Sequence, residues 1–496
     1  MIGRPHMRRH SLLFILGMIL DKGAAAVFMA ALAFALGVGG EADTYFVVVA
    51  APLLLAALLG DSFMVVGLRT IAAEDPRHGL NADLVAYGAA CLGLWGLMAG
   101  CAAPLVVVLA PGKEAAWHAR AAGLQVLSSA LLPLLLTGHV LAAILIGRGR
   151  AAAGILRSAM VNVAGAVQAL ALVALGRCDA EGLVETALAG AALVDVFLLV
   201  MAHRHARPWP GGTVTGRTLA ASLRGLALVA GGNLPHNLIL VVERAAASLA
   251  GEGAISAIAM ARSVAPLVGA LPAAIAAGQF TGAMASAAEG GERRPPPAGA
   301  MIYPALVVGL PVLMVLLAAN QDIVAILFQR GRFTLEDSRA VSGLLLLFYL
   351  ASGYFLLSTP LMKWLQLAGH DRFNVGSGMA AAILHAGLAL WWARIGGPGG
   401  IVLAYAAATT AQTALVVAKA ARVQGAAALA LPLPSLLAAA AVSGLAGLVV
   451  AADGLLAPGV PRAMATAAAV LVTYALAGRL LRLPGFTALR TFFRAP

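Results

Sequence analysis

Charge is scarce in this chain. Only 11% of its 496 residues are Asp, Glu, Lys or Arg, whereas 61% are hydrophobic and the mean hydropathy is +0.93. Soluble domains carry roughly 25% charged residues, so this composition excludes a soluble globular protein. Cysteine is almost missing too. Cys91, Cys101 and Cys178 show no CxxC spacing, which supports neither a disulfide framework nor a metal site. There is no GxxxxGK[ST] loop to cradle phosphates, so no ATP hydrolysis is expected. No Ser/His/Asp set or carboxylate pair stands in a loop where chemistry could occur, so no catalytic residue is assigned. Long polar segments are also lacking. The longest connections, about 203–218 and 285–299, are too short for a soluble domain.

What remains is a succession of apolar runs. A spanning helix needs about 20 apolar residues, and a β-barrel would show shorter stretches of alternating polarity. The opening "MIGRPHMRRHSLLFILGMIL" has the basic start of a signal peptide. Its apolar run continues past Asp21 and Lys22 to about Val38, without a small-x-small cleavage site, and reads as the first membrane helix. The fold class is therefore an all-α integral membrane protein of about fourteen transmembrane helices. Their expected spans are 11–38, 45–68, 83–109, 122–147, 152–176, 182–202, 219–249, 253–281, 300–328, 339–367, 374–394, 398–421, 431–452 and 463–481.

Positive charge orients the chain. With the N-terminus in the cytoplasm, 22 of the 33 Lys and Arg fall in cytoplasmic segments, 8 fall outside, and Lys22, Arg244 and Arg262 lie within spans. Both termini are then cytoplasmic. The net charge of +12 faces anionic lipid headgroups, and no nucleic-acid partner is needed to explain it.

Two segments resemble each other: "GGEADTYFVVVAAPLLLAALLGDSF" from Gly39 and "AGEGAISAIAMARSVAPLVGALPAAI" from Ala250. Each joins a Gly-Glu turn to an apolar run with a proline. Their offset, near half the chain, fits two parallel six-helix lobes with a site between them. The expected division is 1–217, 218–428, and 429–496 for two additional C-terminal helices with a basic tail.

The same residues carry a family resemblance. "GVGGEADTYFVVVAAPLLLAALLGDSF" resembles the first hairpin of the MurJ/MviN lipid II flippases. "AMARSVAP" resembles their alanine-x-arginine stretch in helix 8. "ILFQRGRFTLEDSRA" resembles their FQ-x-G-x-FT element, and "LQLAGHDRFNV" the element that follows helix 10. The resemblance runs from helix 1 to about helix 12. It implies the multidrug/oligosaccharidyl-lipid/polysaccharide exporter superfamily, a bacterial inner-membrane location and alternating access. The cargo implied is a lipid-linked sugar diphosphate, lipid II or a related polyprenyl-linked glycan, for peptidoglycan or cell-surface polysaccharide biosynthesis. Membrane lipids are the other partners, the protein is expected as a monomer without cofactor, and a cation gradient or the membrane potential would drive it. The family's mid-helix 1 arginine falls on Phe28 here, and a basic pair of helix 2 falls on Ala56 and Ala57. Lys22, Arg262, Asp43 and Asp61 keep the family's charge type.

Ionised groups in hydrocarbon cost about 2.5–3.5 kcal/mol on insertion scales, so they face a cavity or a partner. Arg262, Lys22 and Arg244 are the candidate diphosphate ligands, because a guanidinium presents a planar fork to paired phosphate oxygens. Glu243, Asp21, Asp43 and Asp61 are the supporting acids. Glu243 can neutralise Arg262 or Arg244, Asp21 can tune Lys22, Asp43 can cap helix 2, and Asp61 can accept hydrogen bonds between helices. Asp195 fits a proton relay or an interhelical hydrogen bond. Gly331 permits a turn, and Thr334 with Asp337 forms a capping box that starts helix 10. A drug/cation antiporter of the same superfamily and a non-transporting scaffold of envelope assembly are the competing functions.

Overall fold

The computed structural model describes residues 4–73, 80–148, 150, 156–205, 213–270, 296–425, 429, 431–453 and 456–483, with 272–273, 275–276 and 279. All regular structure among the described residues is helical. The 285–299 connection lies mostly outside them. The chain forms two compact units. The first comprises Met1–Ala259 with Arg330–Phe333 and Ala393–Gly397, and the second comprises the remainder.

In the first unit the helices are α1 (Arg4–Leu36), α2 (Gly40–Val48), α3 (Ala50–Ala73), α4 (Leu80–Gly100), α5 (Ala102–Leu109), α6 (Ala115–Ser129), α7 (Leu131–Gly147), α8 (Arg157–Ala174), α9 (Ala180–His205) and α10 (Gly216–Leu249). Here α1 packs on α8, α3 on α7 and α10, and α9 on both α7 and α8. The unit boundary falls inside α11 (Ala254–Val264). The second unit continues with α12 (Ala298–Ala318), α13 (Asn320–Phe328), α14 (Leu335–Ser352), α15 (Phe355–Leu367), α16 (Asp371–Gln424), α17 (Leu433–Ala452) and α18 (Val460–Leu480). The two last helices pack on each other and on α12. Arg462 at the start of α18 clamps Asp322 of α13 with two bonds of 2.7 Å, joined by the Gly459 N–H at 3.0 Å.

Thirteen of the fourteen expected spans fall, in their described residues, on a helix or a pair of consecutive helices, and α11 opens the remaining one, 253–281, whose later part lies largely outside the described residues. Nine stretches among the described residues are long and apolar enough to cross a membrane. Two bent pairs, 45° near Pro235 and 41° after Ser352, bring the number to eleven. The 54 residues of α16 would extend about 80 Å at 1.5 Å per residue, far beyond one bilayer. Gly397, at φ 55°, and Pro398 break it into two helices where the sequence expects two spans. Leu97, Leu193, Ile383 and Leu445 are more than half exposed, as suits a surface solvated by lipid.

Proline sets the break between α2 and α3. Pro52 has no N–H, so the Val48 carbonyl loses its i+4 donor. The Ser128 hydroxyl of α6 replaces it at 2.6 Å. The Phe46 carbonyl, two residues earlier, receives the Arg244 Nε at 3.1 Å. Two side chains from distant helices thus stabilise the bend.

Candidate functional site

At one end of the first unit the turns converge on Asp43. Its carboxylate is fully buried, at the fourth residue of α2. It accepts from the Lys113 ammonium at 2.8 Å, the Gly253 N–H at 2.9 Å, and both the backbone N–H and hydroxyl of Ser256 at 2.9 Å. The expected cap of helix 2 is thereby corrected. Asp43 lies too far into α2 to cap it, and α2 starts at Gly39 without a side-chain cap. Its carboxylate instead serves the first turn of α11, whose N–H groups have no helical acceptor. Lys113 is brought there by Gly112, which lies so close to Ser248 and Leu249 that any Cβ would collide with backbone. The Gly112 N–H donates to the Ser248 hydroxyl at 3.0 Å.

Glu41 extends the same node. It takes a forked pair of bonds from Arg120 and one from the Ala180 N–H at 2.9 Å. The strap "QRGRFT" closes it. Arg332 donates its backbone N–H to the Phe34 carbonyl at 3.1 Å and its Nη1 to the Cys178 carbonyl at 3.2 Å. Gly331 has φ +62°, and a Cβ there would lie 2.5 Å from the Phe34 carbonyl oxygen, so both the turn and the close approach require glycine. Thr334 then caps α14 through the expected box, with Asp337 returning to the Thr334 N–H at 2.8 Å. This node needs no ligand to satisfy its charges, and it reads as a latch rather than a binding pocket.

The other candidates lie deeper. Arg244 is half-buried in α10. Besides the Phe46 carbonyl, it donates to the Leu240 carbonyl at 3.3 Å. Its neighbour Glu243 is buried. Asp21 and Lys22, in α1, pair with each other at 3.1 Å, with the ammonium side chain about half exposed. Asp61 is exposed on α3. Phe28, where the resemblance expects arginine, lays its ring against Gly165 of α8. Ala56 is buried, so Phe28 and Ala56 are packing positions here.

Arg262 belongs to the second unit. Its guanidinium carbon stands 4.7 Å from the Tyr405 ring centroid and 5.7 Å from that of Phe348. His385 meets Tyr405 edge-on at 6.0 Å. Such stacking engages the guanidinium face, whereas phosphate recognition uses its edge. Glu243 and Arg262 fall in different units. Among the described residues no group of His, Cys, Asp and Glu could hold a metal ion.

The sequence reading missed Arg157. It counted this residue with the cytoplasmic charges near the start of the 152–176 span, but the side chain lies against α7, bonded to His139.

No protein-family model and no curated protein sequence matches the chain. Solved structures do. The lipid II flippase MurJ, in an inward closed conformation, superposes with a TM-score of 0.76 at 15% identity, covering 95% of this chain and 98% of that one. An inward-facing multidrug resistance MATE transporter of the MOP superfamily gives 0.62 at 15% identity, over 83% and 96%. A eukaryotic MATE transporter gives 0.58 at 14% identity, over 85% and 99%. The chain is a multi-pass, all-α membrane protein with the fold shared by MurJ and the MATE transporters.

Proposed function

We propose that this protein is a flippase that moves a lipid-linked sugar diphosphate across the membrane by alternating access, in the manner expected of a MurJ/MviN relative. The likeness to MurJ over 95% of the chain carries the reading. The MATE likenesses reach 83–85%. The difference is about a tenth of the chain, enough for two spanning helices of about 20 residues. A drug antiporter built on the MATE plan does not account for that extra length.

The charges favour the same cargo. Lys22, Arg244 and Arg262 are the basic groups that the sequence puts within spans, and a diphosphate is the part of such a lipid that needs cations. Arg262, stacked on Tyr405 and Phe348, is the ligand we assign to the diphosphate. Lys22 is the second, with Asp21 holding it when no substrate is bound. Arg244 is assigned a supporting part, because its donors serve backbone carbonyls at the α2–α3 bend.

The test is complementation in bacteria depleted of their lipid II flippase, followed by reconstitution with a fluorescent polyprenyl-diphosphate sugar in liposomes. Rescue of growth, or flipping of any polyprenyl-diphosphate sugar, is expected. Failure of both, with export of cationic drugs instead, would replace this reading by the antiporter.

A further inference from the structure

The first unit contains a polar cluster that the flippase reading does not use. It is half-buried among α1, α3, α4, α7, α8 and α9. Arg157, the first residue of α8, points its Nη2 at the His139 Nε2, 2.9 Å away. His139 sits on α7 eight residues before the helix ends at Gly147, about 12 Å along its axis. An arginine only donates, so the His139 Nε2 must accept. The remaining ring nitrogen, Nδ1, is 2.7 Å from the Leu135 carbonyl, which also only accepts. Nδ1 therefore carries the proton. The geometry fixes His139 as a neutral imidazole in the Nδ1–H tautomer.

Two glycines make the arrangement possible. A Cβ at Gly60 of α3 would lie 2.5 Å from the His139 ring. A Cβ at Gly138 would lie 2.8 Å from the Asp195 Oδ1 and 3.3 Å from the Arg157 Nη1. Asp195 of α9 and Arg157 therefore meet the same bare face of α7. Yet Arg157 makes its short bond to the uncharged histidine, and the other oxygen of Asp195, Oδ2, is buried without a hydrogen-bond partner.

The titratable groups around it are Asp21 with Lys22 on α1, Asp61 on α3, Tyr87 and Cys91 on α4, and Asp195 on α9. Asp195, Asp61 and Asp21 are the carboxylates whose charge reaches Arg157. Asp61, next to Gly60, is exposed. A second proton on His139 would occupy Nε2, turn the acceptor into a donor and place two cations in contact. Arg157 would then have to leave, and the Asp195 carboxylate offers it an unfilled acceptor on that face.

We propose that His139, Arg157 and Asp195 form a proton-binding site inside the first unit, in which a proton taken up by His139 moves Arg157 from α7 to Asp195 on α9. One proton is bound and no bond other than hydrogen bonds is exchanged. The site does not depend on what the protein carries.

The experiment is 15N solid-state NMR of the histidine-labelled full chain in phospholipid membranes. His139→Gln identifies the His139 signals among the ten histidines. Arg157→Gln gives a second identification, by shifting those signals alone, should the first variant not fold. At pH 8, His139 should show the Nδ1–H tautomer, the minority form of a free histidine. On acidification both nitrogens should become protonated. Asp195→Asn removes the carboxylate that receives Arg157, so proton binding at His139 should weaken about tenfold, or one pH unit. An Nε2–H tautomer at pH 8, no protonation of His139 down to pH 4, or an unchanged midpoint in Asp195→Asn would overturn the proposal.

Discussion

Asp43 is the residue whose environment is most fully specified. Four donors from Lys113, Gly253 and Ser256 fill its two oxygens. Asp43→Asn turns one oxygen into an amide that faces donors. Bonds to charged groups contribute about 1.5–3 kcal/mol each, so the variant should lose at least one such bond and melt well below the parent in detergent. Lys113→Met should cost less, because three neutral donors still satisfy the carboxylate. An equal loss in both variants would mean that Lys113 dominates the node. Arg262 makes a different prediction. Arg262→Ala should abolish flipping at unchanged protein level. Arg262→Lys should restore it only in part, since an ammonium keeps the charge and loses the flat fork that stacks on Tyr405. Full flipping by Arg262→Ala, measured in liposomes, would remove it from the substrate site.

Among the elements, the bend between α2 and α3 shows how far a sequence can be read. Pro52 announces a lost backbone bond by its chemistry alone. Thr334, Gly331 and Asp337 announce the turn and the start of α14 in the same way, and both are found. These signals are local. The partner that repairs the bend, Ser128, lies 80 residues from the Val48 it serves, and nothing in the periodicity of α6 marks it. The same distance hid the role of Asp43, whose partners lie 70 to 213 residues away. It hid Arg157 as well, because a basic residue beside a turn reads as a loop charge until α7 supplies His139. The bend offers a double-mutant test. Ser128→Ala should cost about 1–3 kcal/mol, the penalty of a buried carbonyl left without a donor. Pro52→Ala returns a backbone N–H to the Val48 carbonyl. Ser128→Ala should then cost clearly less in that background, with the difference read from melting in detergent. Additive costs would mean that α2 and α3 stay bent for another reason.

At the scale of the whole molecule, the turns decide how the chain crosses the membrane. The Asp43 node gathers residues from the connections after the first, third, fifth and seventh expected spans: Gly37–Gly39, Gly112–Lys113, Cys178–Asp179 and Gly251–Gly253, or their immediate neighbours. Connections of odd number at one end of the unit are what strict alternation across a bilayer requires. From the 22 to 8 distribution of Lys and Arg we infer that the node lies outside and both termini in the cytoplasm. Impermeant maleimide labelling in intact cells tests this, in a background where Cys91, Cys101 and Cys178 are alanine. Glu114→Cys, at an exposed position on the node side, should label in intact cells, and so should Glu336→Cys, exposed after the ninth expected span. Thr215→Cys and Arg372→Cys, also at exposed positions, should label only after lysis. The reverse pattern would invert the protein and turn the proposed flipping direction around. Labelling of both Thr215→Cys and Glu114→Cys in intact cells would break the alternation itself. Between those two sites the chain makes one crossing with α6 and α7 together, one with α8 and one with α9, and an odd number of crossings must leave them on opposite faces.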